Sequence, residues 1–244
     1  MDDYPYEYYK RKRAKKKAFL LKTAAVAAVF LLAAVLALAY LPGKPHSVSL
    51  RRIFCFVAER ADGQSAEEIA DAIASGGGAG YILKEEGAPV YACYYQRADA
   101  EEIAERLCES GRSAYVLERV TDRLYFGSRA AKKAENAALS VLRTLYDCSL
   151  VLYETANRLQ SGTYDQSSAR SVLADTAAVL SRLGETVQKS GALSEKYKSL
   201  GEFPAGCAED LENYASQTVY ASDIRNLQVK ICEYFIYVFE IFGN

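Results

Sequence analysis

Residues 18–41 read AFLLKTAAVAAVFLLAAVLALAYL, an apolar run in which Lys22 is the only charge. An α-helix rises about 1.5 Å per residue, so roughly 20 apolar residues cross the ~30 Å hydrocarbon core of a bilayer. A helix on the surface of a soluble domain needs a polar face, and this stretch has none. A single transmembrane helix is the expected outcome. It divides the chain into a short head and the roughly 200 residues beyond it.

The head sets the direction of insertion. Residues 1–17 hold seven Lys/Arg against three acids, and positive charge beside an apolar span keeps that end in the cytoplasm. Leu41, Pro42 and Gly43 then stop the helix. The expected topology is a basic cytoplasmic tail at 1–17, a signal anchor in the plasma membrane at 18–41, a linker at 42–47, and everything after residue 41 outside. A cleaved signal peptide is the competing reading, because Ala37, Leu38 and Ala39 resemble an A-x-A site. Signal-peptide cores run to about 7–15 apolar residues, and the greater length here favours an uncleaved anchor. The tyrosines at 4, 6, 8 and 9 are either a short cytoplasmic ligand or an overhang without a partner.

Several chemistries are excluded by composition. The only histidine, His46, sits in the linker, so neither outer region can assemble a Ser-His or Cys-His pair. The cysteines at 55, 93, 108, 148, 207 and 232 form no CxxC, and no metal site or cofactor is expected. Disulfides and buried free thiols both remain open for them. Gly76, Gly77 and Gly78 end a helix instead of opening one, unlike a phosphate-binding loop. The acid pairs Glu67–Glu68 and Glu101–Glu102 open helices, where they stabilise the positive end, and do not form a catalytic pair. No catalytic residue and no enzyme activity are expected. Beyond the head the chain is acidic, which disfavours nucleic acid as a partner.

From 48 to 122 the pattern alternates strand and helix. Residues 53–58 are a β-branched and aromatic strand. Ser65 and Glu68 form an S-x-x-E box opening a helix with Ile69, Ala70 and Ile73 on one face. Residues 81–83 and 90–95 are further strands, Asp99 is positioned to cap a helix running to Ser110, and residues 114–117 are the fourth strand. The order β-α-β-β-α-β is the split βαβ arrangement, with two helices on one face of a four-stranded sheet. The stretch A-E-E-I-A recurs at 66–70 and 100–104 as an internal repeat.

In this order of elements, residues 51–120 resemble the SPOR (sporulation-related repeat) domain of bacterial envelope proteins. The likeness rests on the aromatic-rich first strand, A-E-E-I-A, the glycine turn, a Tyr-bearing third strand, A-E-E-I-A-E-R-L and a closing G-R-S-A-Y-V strand. It covers about 70 of 244 residues. The resemblance implies binding of peptidoglycan glycan strands stripped of stem peptides, in cell division or sporulation. The family commonly has Gln and then Gly on the open face of the first strand; Phe54 and Phe56 take those positions here. Strand alternation makes Phe54, Phe56, Tyr91, Tyr95 and Tyr115 the candidate glycan-binding set. The opposite parity would send Ile53, Cys55 and Val57 outward, and both faces of that strand are apolar. Burial of Phe54 and Phe56 under the helical region that follows is the alternative, which would leave an interaction scaffold that binds no glycan.

Residues 128–244 carry no strand signal. Ala138, Leu142, Leu145, Ser149, Leu152, Ala156 and Leu159 step by four and three, a heptad-like seam. Leu173, Ala177, Leu180, Leu183 and Val187 mark a second helix. Ser190–Gly191 and residues 201–204 read as breaks, and Ile224, Leu227, Ile231, Phe235 and Val238 mark a last helix. The expected fold class is α+β: an N-terminal transmembrane helix, a ferredoxin-like βαββαβ domain of SPOR type, then an all-α helical bundle domain open to a protein partner or self-association. The last helix is apolar nearly all round, which suits a second membrane contact, a partner, or a packed interior position.

Overall fold

Strand β1 (His46–Glu59) is apolar on both faces, and the architecture follows from covering each of them. The computed structural model describes residues 46–126, 132–189 and 199–243. The basic head, the expected anchor at 18–41 and the linker up to residue 45 lie outside the described residues. Among the described residues no helix is long and apolar enough to cross a membrane.

The elements after β1 are α1 (Ala66–Ser75), β2 (Tyr81–Ile82), β3 (Pro89–Tyr94), α2 (Arg97–Glu109) and β4 (Ala114–Phe126). Four helices follow: α3 (Lys132–Gln160), α4 (Gln166–Lys189), α5 (Ser199–Ala215) and α6 (Ala221–Gly243). The fold is mixed α+β, a four-stranded antiparallel sheet with six helices among the described residues. The strand order is β2-β3-β1-β4.

Local signals explain the starts of elements. Ser65 accepts from the Glu68 amide and Glu68 accepts from the Ser65 amide, so the capping box forms as expected. Helix α2 begins earlier than expected: Gln96 is its N-cap without a side-chain bond, and Asp99 lies in the first turn, where a carboxylate favours the helix dipole. Strand β1 starts at His46, inside the expected linker, because it pairs with β4 from His46↔Phe126 onward. A bulge between Ser49 and Arg52 interrupts that ladder, and Thr121 fills it. Its hydroxyl accepts from the Arg52 amide at 3.1 Å and donates to the Leu50 carbonyl at 3.1 Å.

The two faces of β1 enter different layers. Cys55 and Val57 pack against Ala100 and Ala104 of α2. Phe54 and Phe56 belong to a larger core that runs from the sheet through Leu142, Leu145 and Leu152 of α3 to Ile231 and Phe235 of α6. The Phe54 ring centroid lies 5.2 Å from Phe235, 6.1 Å from Tyr146 and 6.2 Å from Tyr95. Phe54 and Phe56 are fully buried. Residues expected as a sheet domain at 48–122 and a bundle at 128–244 thus share one core, and Pro45–Asn244 is one compact unit.

The heptad-like seam of α3 is buried at Ala138, Leu142, Leu145, Ser149, Leu152 and Ala156. Residues 201–204, expected as a break, lie inside α5. Gly201 serves packing there: a Cβ on Gly184 of α4 would come within 2.9 Å of the Gly201 carbonyl, so the paired glycines let α4 and α5 cross backbone to backbone. Pro204 is the sixth residue of α5, inside the helix, and leaves the Leu200 carbonyl without its intrahelical amide partner.

One shared core implies one unfolding transition. Phe54→Ala is expected to cost about 3–5 kcal/mol, and the helical circular dichroism and the tyrosine near-ultraviolet signals should shift together in urea. Loss of the tyrosine signal with the helical transition unmoved would mean that sheet and helices fold independently.

Candidate functional site

The expected glycan-binding set is split between two faces and is largely enclosed. Phe54 and Phe56 point into the helical layer and are buried, Phe56 with one edge at the bottom of the groove beside α6. Tyr115 lies on the same face of the sheet, partly buried, with the Arg60 guanidinium 5.5 Å from its ring centre. Tyr91 faces the opposite way. The pairs Val57↔Ala92 and Ala58↔Val90 leave Tyr91 as an extra residue, and this bulge breaks the alternation that would have aligned it with Tyr95. Its hydroxyl donates to the carboxylate of Glu59, itself buried and 3.7 Å from Arg112. Burial and that bond push the Tyr91 hydroxyl well above its ordinary range.

Tyr95, just past β3, holds the helical layer to the sheet. The Gln228 amide on α6 donates to the Cys93 carbonyl at 2.8 Å and to the Tyr95 hydroxyl at 3.1 Å. Tyr95 donates to the Ser149 hydroxyl of α3 at 2.8 Å, and Ser149 donates to the Tyr146 carbonyl at 2.7 Å. The chain α6–sheet–α3 is polarised in one direction, which strengthens each link in a low-dielectric interior. Burial raises the Tyr95 hydroxyl well above its ordinary range.

The rest of α6 is latched to the sheet by polar groups. Asn226 donates to the Ala79 carbonyl at 3.0 Å. Arg225 donates to the Gly77 carbonyl, to Asn157 at 2.9 Å and to Gln160 at 2.5 Å. Glu233 accepts from the Tyr81 hydroxyl and from the Lys84 amide, both at 2.6 Å. The expectation of an apolar stripe for α6 assigned none of these four residues a role in packing. Their polarity at positions 225, 226, 228 and 233 was the available signal.

Beside that latch a groove of about 610 Å³ opens between the β2–β3 turn, β4, the start of α5 and the outer part of α6. Its floor includes Phe56, Leu117, Phe203 and Tyr234, with the last two rings stacked at 3.6 Å and 9°. Tyr237 forms a lip and is 50% exposed. Five glutamates and three basic residues line it, a formal balance of −2. Arg119 pairs with Glu86, and Lys230 with Asp210 at 2.8 Å. Glu240 is exposed, and burial together with Glu85 and Glu86 pushes its carboxyl above the usual range, while Arg119 works the other way.

All six cysteines are free, five of them buried and Cys108 exposed. Among the described residues no group of three or more His, Cys, Asp or Glu is placed to hold a metal ion. No protein-family model, curated protein or solved structure matches this chain.

Two measurements check this geometry. Tyr95→Phe removes a partner from Gln228 and from Ser149 without opening a cavity, and should cost about 1–3 kcal/mol in a denaturant titration. Glu240 has a folded pKa above its unfolded one, so the stability linked to its protonation is fully present below the ordinary carboxylate range. It is lost as the pH rises through the folded value. Glu240→Gln should therefore raise the melting temperature near about pH 7 and give no gain near about pH 4.

Proposed function

We propose that this chain is a membrane-anchored, extracytoplasmic interaction scaffold, not a catalyst, in which the helices after β4 are a built-in cover for a SPOR-like sheet. Residues 18–41 supply the anchor on this reading. The strand order β2-β3-β1-β4 with its two intervening helices suits a ferredoxin-like βαββαβ unit, which is the unit the SPOR resemblance implies.

The observation that carries the reading is the burial of Phe54 and Phe56 beneath α6. A sugar ring would need those aromatic faces open and flanked by polar groups. Here Phe235 and Tyr146 occupy the space, and Gln228, Asn226 and Glu233 spend their hydrogen bonds on the sheet. A cover so fixed suits a permanent layer better than a ligand-displaced lid. With the face closed, binding falls to the outer surface, where the groove beside α6 is open.

The test is retention of the full chain, in detergent, on purified sacculi with and without amidase pretreatment. Retention is expected to be equally low on both. Strong retention on stripped glycan alone, lost in Phe54→Ala, would restore glycan binding through the sheet.

A further inference from the structure

The groove beside α6 has an unbalanced interior. Of its acids, Glu233 is satisfied by Tyr81 and the Lys84 amide, and Glu86 by Arg119. Two of its three bases are likewise engaged, Arg119 by Glu86 and Lys230 by Asp210. Glu85, Glu202 and Glu240 form no ion pair among the described residues, against the ammonium of Lys84 on the other side of the balance. Glu85 and Glu86 stand near enough to Glu240 to oppose its ionisation, and Arg119 works the other way. A groove lined by more carboxylates than cations favours a cationic segment over an acidic one.

Below that rim the surface is aromatic. Phe203 and Tyr234 present a stacked pair, and Tyr237 stands half exposed beside them. The volume, about 610 Å³, is of the size that takes a few side chains and is smaller than a domain interface. An apolar anchor with a charge-matched rim is the usual anatomy of a peptide-docking site.

We propose that the groove docks a short segment of a partner protein in which an aromatic or aliphatic side chain lies next to a lysine or arginine. The apolar side chain sits over Phe203 and Tyr237, and the cation lies between Glu240 and Glu85. This rests on the scaffold reading and supplies its partner class. The acidic rim selects against acidic segments, and the aromatic floor selects against segments that are merely basic.

The experiment uses the full chain in nanodiscs and three fluorescein-labelled decapeptides, read by fluorescence anisotropy. One peptide mixes leucine, tyrosine and lysine; the second has glutamate for lysine; the third keeps the lysines but has serine for the apolar residues. Only the first is expected to bind, with affinity falling about tenfold or more in Glu240→Lys and in Tyr237→Ser. Both positions are exposed, and cooperative melting at or above the temperature of the parent chain would show that the variants are folded. Equal binding of the basic serine peptide, preference for the acidic one, no binding at all, or binding indifferent to both substitutions would overturn the proposal. So would self-association of the chain that Tyr237→Ser abolishes, because a second copy would then be the occupant. A photocrosslinker in cells separates the two levels of inference. Protein adducts from position 179 on the exposed part of α4 and none from 237 would remove the groove and keep the scaffold; adducts from neither would remove both.

Discussion

Everything in this fold depends on what covers Phe54. It sits on an inner strand, so its neighbours along the sheet are fixed by the β3 and β4 ladders, and its ring must find apolar contact above the sheet. Phe235 of α6 and Tyr146 of α3 provide it. Burying a ring of this kind is worth about 1.5–3 kcal/mol, and each well-placed aromatic pair adds about 0.5–1.5. The opposite face of β1 makes the same demand through Cys55 and Val57, and α2 meets it with Ala100 and Ala104. A strand apolar on both sides must lie in the middle layer of three.

Apolar contact alone does not say where along the sheet α6 should rest, because it has no direction. The polar residues of α6 do. Asn226 and Arg225 bind carbonyls in the loop after α1, Gln228 binds one at the end of β3, and Glu233 binds the first residue of β2 and the turn after it. A slide of one turn, about 5.4 Å, would leave buried partners unpaired. Each would then cost its full desolvation penalty. Aromatic burial holds the layer down, and the hydrogen bonds fix its register.

Much of this was legible in the residues. The Ser65–Glu68 box, the element order and the α3 seam are local signals, carried within a turn or two of chain, and they survive in the structure. What escaped was set by distant partners. The bulge at Tyr91 shifts a face by one residue, and nothing in VYACYY announces it, since the run reads as one unbroken strand. Gly201 and Pro204 carry the signature of a break but lie inside α5, and at Gly201 the reason is the close crossing with Gly184. Ser149 is the one polar member of the α3 seam, and the seam's spacing gives no reason for it. It is buried because Tyr95, more than fifty positions earlier, requires an acceptor at that spot.

The two-sided apolarity of β1 was visible from the outset, and its meaning turned on a choice that periodicity cannot make. A sheet with one exposed aromatic face presents a surface to a ligand; a sheet with that face filled by its own chain has made the face part of its core. In the second case aromatic content reports stability, and any open surface lies at the margins where the layers part. The groove at the edge of α6 is such a margin. Its floor borrows Phe56 and Leu117 from the sheet, while its rim is built from Glu240, Glu85 and Tyr237, which the core does not need. Because the rim contributes little to packing, its charges are not fixed by the core, and a carboxyl held above its ordinary range is tolerated there.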